Sequence, residues 1–291
     1  MMTEADAFAY CKQLAKSHYE NFHIASFFLP KPLRQPFHII YAYCRCSDDL
    51  ADEHDGSQRS RLTALQRLDD WQRQLDLCFK LTKPNDDTHP VFVALRSLLR
   101  QHALPKEHFA DLLVAFRQDQ TQLQYETFDE LLRYCRYSAN PVGRIVLHLI
   151  CSPTSEQLLW SDSICTALQL ANFWQDVRRD KTVGRCYIPR DIAVKFGVDL
   201  TDLHDSPEFR LLIQELIADT RRRFHAGLPL VTSVPARLQK DISLFIRGGL
   251  AILDAIEHVQ YNVLKERPIL SRWTKLRLLL GHLLYLQEKK V

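Results

Sequence analysis

Tyr41, Arg45, Asp48 and Asp52 follow one another at steps of four, three and four residues, and Gln169, Asn172, Asp176 and Asp180 at steps of three, four and four. Residues three and four apart stack along an α-helix, so each set lies on one helical face. Both sets are embedded in apolar surroundings, IIYAYCRCSDDLADE and CTALQLANFWQDVRRD, which points to helices that are largely buried. Carboxylates at i and i+4 can share one divalent ion or present to neighbouring ions. Mg²⁺ suits them, because it is a hard cation held through one or two carboxylates, with substrate phosphate oxygens and water completing its shell. Inward-facing acids repel one another and shift their pKa values, and bound metal or Arg45 would relieve that repulsion. The chemistry implied is metal-assisted departure of a diphosphate. A single DDxxD spacing also occurs on solvated helix faces, so the weight rests on two stripes with further polar residues in phase.

The elements that must position these stripes read as helices almost throughout. RLTALQRLDDWQRQLDLCF repeats apolar residues at three- and four-residue steps. Thr127 with Glu130 forms a capping-box pattern before ELLRYCRYSANPVGRIVLHLI. Pro90 and Pro105 suit the first turns of the helices after them, Ser206-Pro207-Glu208 opens another, and Ser271-Arg272-Trp273 the last. Roughly ten helices with short connections give an all-α chain. Loops are expected around 53–58, 82–89, 182–190, 198–206 and 227–236. No linker divides the chain, so residues 1–291 read as one domain. The leucine-rich, basic segment WTKLRLLLGHLLYLQEKK reads either as a core-packing helix with a solvated face or as a contact with an anionic membrane surface.

Composition sets the outer limits. The 291 residues are 46% hydrophobic and 25% charged with a formal net charge of +3, so no polyanion-binding signature is present and nucleic acid is not an expected partner. Eight cysteines include no CxxC pair, and no secretory signal is read at the start. Reduced thiols in a cytoplasmic protein, with peripheral contact at the inner membrane surface as an option, are the expectation. No apolar run approaches the roughly 18 residues of a membrane span. Gly is scarce and neither GxGxxG nor GxxxxGK occurs, so a dinucleotide or P-loop fold has no local support.

In order along the chain, YCKQLAKSHYENF, YAYCRCSDDLADE, RYCRYSANPVG, LQLANFWQDVRRD and GRCYIPRD are similar to the hallmarks of the squalene and phytoene synthase family. The resemblance covers almost the whole length. It implies an all-α isoprenoid-synthase helical bundle around a central active-site cavity, with the two acid-rich helices facing each other and binding Mg²⁺ around a prenyl diphosphate. Three details resemble the hydroxysqualene-forming branch of bacterial hopanoid pathways. They are HYENFHIASFFLP, SANPVG where condensing members carry VAGxVG, and NFWQD where they carry NxxRD. That branch ionises presqualene diphosphate and captures the cation with water, giving hydroxysqualene and diphosphate. It needs no hydride donor, so no nicotinamide cofactor is expected. The nearest competing expectation is a condensing enzyme of the same fold that joins two prenyl diphosphates head to head. A terpene cyclase would lack the middle motif, and a non-catalytic relative would not need the acids.

Under this resemblance the metal ligands are Asp48, Asp52, Asn172, Asp176 and Asp180, with Asp49 in support about 100° round its helix. Arg45 matches a diphosphate contact, and Tyr41 would touch the diphosphate, orient Arg45 or simply pack. His18, Tyr19 and Asn21 align with a substrate-contacting segment whose serines are missing here. Tyr134 matches a cavity-lining tyrosine, and Asn140 is expected to hold the attacking water. Gln169 and Gln175 flank the second acid motif, Gln175 standing where condensing members carry Arg. Asp119 reads as a further acidic contact or as part of a solvated face. Arg185, Tyr187 and Pro189 belong to a loop expected to close over the site, with Arg185 clamping diphosphate. Gly248-Gly249 stands where several condensing members carry an aromatic residue. Phe22, Phe27, Phe173, Trp174 and Phe245 are candidate cavity aromatics.

Overall fold

The computed structural model describes residues 2–17, 31–52, 58–271 and 273–278. Among the described residues the chain is all-α, with no strand. The helices are α1 (Glu4–Ser17), α2 (Lys31–Asp52), α3 (Gln58–Phe79), α4 (Pro90–Leu99), α5 (Lys106–Gln118), α6 (Phe128–Ser138), α7 (Asn140–Ile150), α8 (Ser155–Thr182), α9 (Arg190–Phe196), α10 (Pro207–Gly227), α11 (Pro229–Ser233) and α12 (Ala236–His258). Residues 273–278 form a further helical stretch. Two compact units emerge, Met1–Thr121 with Arg144–Ser152, and Gln122–Gly143 with Pro153–Val291. Among the described residues, no helix is long and apolar enough to cross a membrane.

The first unit packs α1, α3, α4 and α5 around α2. Ile39, Tyr43, Cys46 and Ser47 mark the buried side of α2. At about 100° per residue, Tyr41, Arg45, Asp48 and Asp52 lie roughly opposite Tyr43 on the helix. The acid stripe is therefore held in place by what anchors the other side. The Tyr43 ring is fully buried, packing edge-on to Phe92 and Phe109, and its hydroxyl donates to the Phe109 carbonyl at 2.9 Å. Ser47 Oγ donates to the Tyr43 carbonyl at 2.7 Å. At the far end of α2, the buried Gln120 amide donates to the Ala51 carbonyl at 3.0 Å and to the Phe116 carbonyl at 3.2 Å.

The second unit is organised by α8, whose 28 residues give a rod about 42 Å long. Its start carries a complete capping box. Thr154 Oγ1 accepts from the Gln157 N–H and the Gln157 side chain accepts from the Thr154 N–H. Helices α10 and α12 pack along it. Trp174 is fully buried and its Nε1 donates to Thr220 Oγ1 at 2.9 Å. That bond satisfies the indole and makes Trp174 a structural anchor rather than a cavity wall. Two glycines permit close helix approach. A Cβ on Gly143 would stand 2.4 Å from Ser161 Oγ and 2.6 Å from Cys165 Sγ, and one on Gly249 would stand 2.3 Å from Phe224 Cζ. The Gly249 contact gives a packing reason for glycine where the family resemblance leads one to expect an aromatic.

The local start signals hold with two adjustments. Ser206 caps α10, accepting from the Phe209 N–H at 3.1 Å, and Ser271 accepts from the Thr274 N–H at 3.0 Å. Pro90 occupies the first turn of α4, whereas Pro105 is the residue before α5. Thr127 caps α6, but the Glu130 side chain accepts from the Glu126 N–H instead of closing the box on Thr127. The loop expected at 227–236 contains the short helix α11, which Pro229 opens.

Candidate active site

In the first unit, Arg45 is the pivot of the acid stripe. Its Nη2 lies 2.5 Å from Asp49 Oδ1 and its Nη1 lies 3.4 Å from Asp48 Oδ2. Burial works against the Arg45 charge, but the Asp49 and Asp48 carboxylates outweigh it and raise the pKa of the guanidinium. Its Nε is buried with no hydrogen-bond partner among the described residues. Tyr41 is half-buried, and burial raises its hydroxyl pKa against the pull of Arg45. Asp49 thus serves as the close partner of Arg45. Asp119, at the end of α5, is half-buried.

In the second unit, Asp176 and Asp180 lie one turn apart near the end of α8. Asp180 is half-buried, and its carboxyl is pushed up to about 6, first by burial and then by the Asp176 carboxylate, against Arg185, Arg179 and Arg267. Asn172 is exposed, about 40° round the helix from Asp176, and Gln169 is half-buried on the same side. Asp180 borders a cavity of about 170 Å³ together with Phe173, Val177, Lys181, Arg185 and Tyr187. The connection after α8 is stitched down by the backbone. Arg185 N–H donates to the Asp180 carbonyl at 2.9 Å, Cys186 N–H to the Leu123 carbonyl at 2.8 Å and Arg190 N–H to the Tyr125 carbonyl at 3.0 Å.

That stitching assembles four aromatic rings beside the acids. Tyr187 stacks on Phe173 with ring centroids 3.8 Å apart and planes 8° from parallel. Tyr134 lies 6.1 Å from Tyr187 and 6.2 Å from Phe173, and Tyr125 lies 5.9 Å from Tyr187. Asn140 is buried, and its Oδ1 accepts from Thr166 Oγ1 at 2.9 Å. Thr166 lies ten residues before Asp176, about 15 Å along the helix. Gln175 points elsewhere. It is buried, donates to the Pro268 carbonyl at 2.5 Å and accepts from Arg267 at 3.4 Å.

Within each unit the structure brings together Tyr41, Arg45 and Asp48, and Asp176, Asp180, Arg185 and Tyr187 with Tyr134. His18, Tyr19, Asn21, Phe22 and Phe27 lie outside the described residues, as does most of the basic C-terminal segment. Phe245 is half-buried on α12. Arg267, Thr166 and Gln120 carry no signal in local spacing. Arg267 pairs with Asp176 through Nε, and its Nη2 lies 3.1 Å from Asp176 Oδ2, across 91 residues of sequence.

The residues fit a divalent cation in a particular way. Among the described residues, no three His, Cys, Asp or Glu side chains converge on one point. The acids come instead as i,i+4 pairs, and in the second pair burial first and the Asp176 carboxylate second raise the Asp180 carboxyl to about 6. Mg²⁺ uses such pairs, because it takes one or two carboxylates and leaves its other positions to phosphate and water. Within the second unit, Asp176 and Asp180 with Asn172 on the same side of α8 are oxygen donors of the kind it takes.

Comparison with known proteins gives the chain its relatives. The family model for squalene/phytoene synthase matches residues 15–274. Hydroxysqualene synthase of Rhodopseudomonas palustris is 35% identical over 89% of this chain and 84% of its own length. Hydroxysqualene synthase of Zymomonas mobilis is 36% identical over 79% of this chain and 69% of its own length. The crystal structure of squalene synthase HpnC from Alicyclobacillus acidocaldarius superposes with a TM-score of 0.82 at 38% identity, covering 89% of this chain and 96% of that one. The helical architecture, the paired acid stripes and these matches place the chain in the squalene/phytoene synthase family.

Proposed function

We propose that the protein is a hydroxysqualene synthase. It ionises presqualene diphosphate with Mg²⁺ and captures the carbocation with water, giving hydroxysqualene and diphosphate. The observation that carries the diphosphate chemistry is the Asp176–Asp180 pair, one turn apart beside an aromatic wall, where burial first and the Asp176 carboxylate second raise the Asp180 carboxyl to about 6. A divalent ion would relieve the repulsion between the two carboxylates. The branch assignment is supported by relatives named hydroxysqualene synthase at about 35% identity.

Asp48, Asp52, Asn172, Asp176 and Asp180 would hold the metal, which supplies charge neutralisation to the departing diphosphate. Arg45 and Arg185 serve the diphosphate as guanidinium donors. Phe173, Tyr187 and Tyr134 offer ring faces to a nearby cation, about 0.5 to 2 kcal/mol each. Asn140 Oδ1 retains a second lone pair after accepting from Thr166. It can take a hydrogen of water and leave the water's own lone pair for the cation. Ionisation breaks the carbon–oxygen bond to diphosphate, capture forms one C–O bond to water, and the proton leaves to the released diphosphate or to solvent, since the Asn140 amide accepts a hydrogen bond and not the proton. Because Thr166 stands about 15 Å from Asp176 along α8, Asn140→Ala is the direct check. Altered product ratios support water capture there, and unchanged ratios reduce Asn140 to a structural partner of Thr166.

The deciding experiment offers purified protein and Mg²⁺ either presqualene diphosphate or farnesyl diphosphate, without NADPH. Hydroxysqualene from the first substrate alone bears out the reading. Presqualene diphosphate or a longer condensed product from the second moves the chain to the head-to-head condensing enzymes and overturns it.

A further inference from the structure

The segment after α12 returns across α8 at the acid pair, and three α8 side chains hold it. Arg178 donates to the Lys265 carbonyl, the buried Gln175 Nε2 donates to the Pro268 carbonyl at 2.5 Å, and Asp176 receives the Arg267 guanidinium. Arg267 Nη2 also donates to Gln175 Oε1 at 3.4 Å. Gln175 is therefore used in both directions, as donor to backbone and as acceptor from Arg267. A side-chain amide can do both, whereas a guanidinium has donors only. An arginine at position 175 would have no acceptor for Arg267 and would repel it.

We propose that Gln175 is a positioning residue that straps residues 265–268 onto α8 and so delivers Arg267 to Asp176 as a built-in counter-ion, which a metal ion must displace. The strap accounts for how Asp176, only 16% exposed at its side chain, is tolerated beside Asp180 before any metal arrives. It also assigns Gln175 a role in holding the chain's own backbone, not in touching substrate. The counter-ion part rests on the reading of Asp176 as a metal ligand. The strap itself does not.

Two variants of the full-length protein separate these parts. Hydrogen–deuterium exchange without metal reads the strap at residues 262–275, and calorimetric titration with Mg²⁺ alone reads the competition. Gln175→Met should raise exchange in that segment roughly tenfold, the scale of losing a buried hydrogen bond. It should also tighten Mg²⁺ binding roughly two- to fivefold, the scale of a half-exposed ion pair. Arg267→Met removes a half-exposed side chain and endangers folding less. It should tighten Mg²⁺ binding by the same factor while the segment stays protected through Gln175 and Arg178. Unchanged exchange in Gln175→Met overturns the strap, whatever Mg²⁺ does. Unchanged or weakened Mg²⁺ binding in Arg267→Met overturns the counter-ion. Should the wild-type protein bind no Mg²⁺ at all, Asp176 is not a metal ligand and the counter-ion role falls with it, while the exchange result still decides the strap.

Discussion

Replacing Asp180 by asparagine should stabilise the metal-free protein at neutral pH. Burial first, and Asp176 second, push the Asp180 carboxyl up to about 6, whereas an aspartate in an unfolded chain titrates near 3.9. The folded state therefore holds the proton more tightly than the unfolded state. Between about pH 4 and pH 6 stability falls as pH rises, and above that window the ionised carboxylate costs its full amount. A shift of about two units corresponds to about 2.7 kcal/mol. Asp180 is only half-buried, and solvent screening brings the expected cost down to about 1 kcal/mol. In a chain of this size that moves Tm by about 2 °C. Urea unfolding with a chelator present, at pH 7.5 and at pH 4, gives the comparison. Asp180→Asn should be more stable by about 1 kcal/mol at pH 7.5 and level with wild type at pH 4. Added Mg²⁺ should stabilise the wild type more than the variant. Equal stability at pH 7.5, or a variant less stable there, would refute the reasoning that burial and Asp176 strain this carboxylate.

Three further outcomes follow from the packing. Gly143→Ala should cost about 1–3 kcal/mol in urea unfolding, since its Cβ would stand 2.4 Å from Ser161 Oγ. Thr166→Val should cost about 1–3 kcal/mol, because Asn140 Oδ1 loses its donor while remaining buried; loss of less than about 0.5 kcal/mol would show another donor taking over. Tyr187→Ala should lose about 0.5–1.5 kcal/mol from the stack on Phe173 beyond the buried area, read against wild type in paired thermal melts.

The acid stripes were legible because a helix repeats every three to four residues, and sequence spacing then maps directly onto one face. The apolar residues around both stripes likewise announced helices that are largely buried, though not that Tyr43 anchors α2 from the other side. Caps such as Ser206 were legible because their partner is only three residues away. Contacts across long stretches of sequence were not. Spacing places Gln175 beside the second acid motif but does not say that Pro268 and Arg267 meet it. Nothing in LQLANFWQD announces that Trp174 turns to Thr220 while Phe173, its neighbour, stacks on Tyr187. Asn140 stood out as an unusual residue in its motif, but its Thr166 partner lies 26 residues further on, at a position that reads as ordinary helix. The family resemblance supplied roles for His18 and Asn21 that spacing alone could not.

The second acid motif sits in the closing turns of its helix, Asp180 in the last turn of α8 and Asp176 one turn earlier. Unpaired carbonyls give that end of a helix about half a negative charge, so a carboxylate there is disfavoured by about 0.3 to 1 kcal/mol. Arg179 and Lys181 in the last turn of α8 offset part of that potential. The peptide dipoles still add their negative potential to that of the aspartates. A cation arriving at this stripe is drawn by the backbone as well as by the aspartates. Trimming one acid to asparagine removes only part of that attraction, because the rest is written into the direction in which the helix runs.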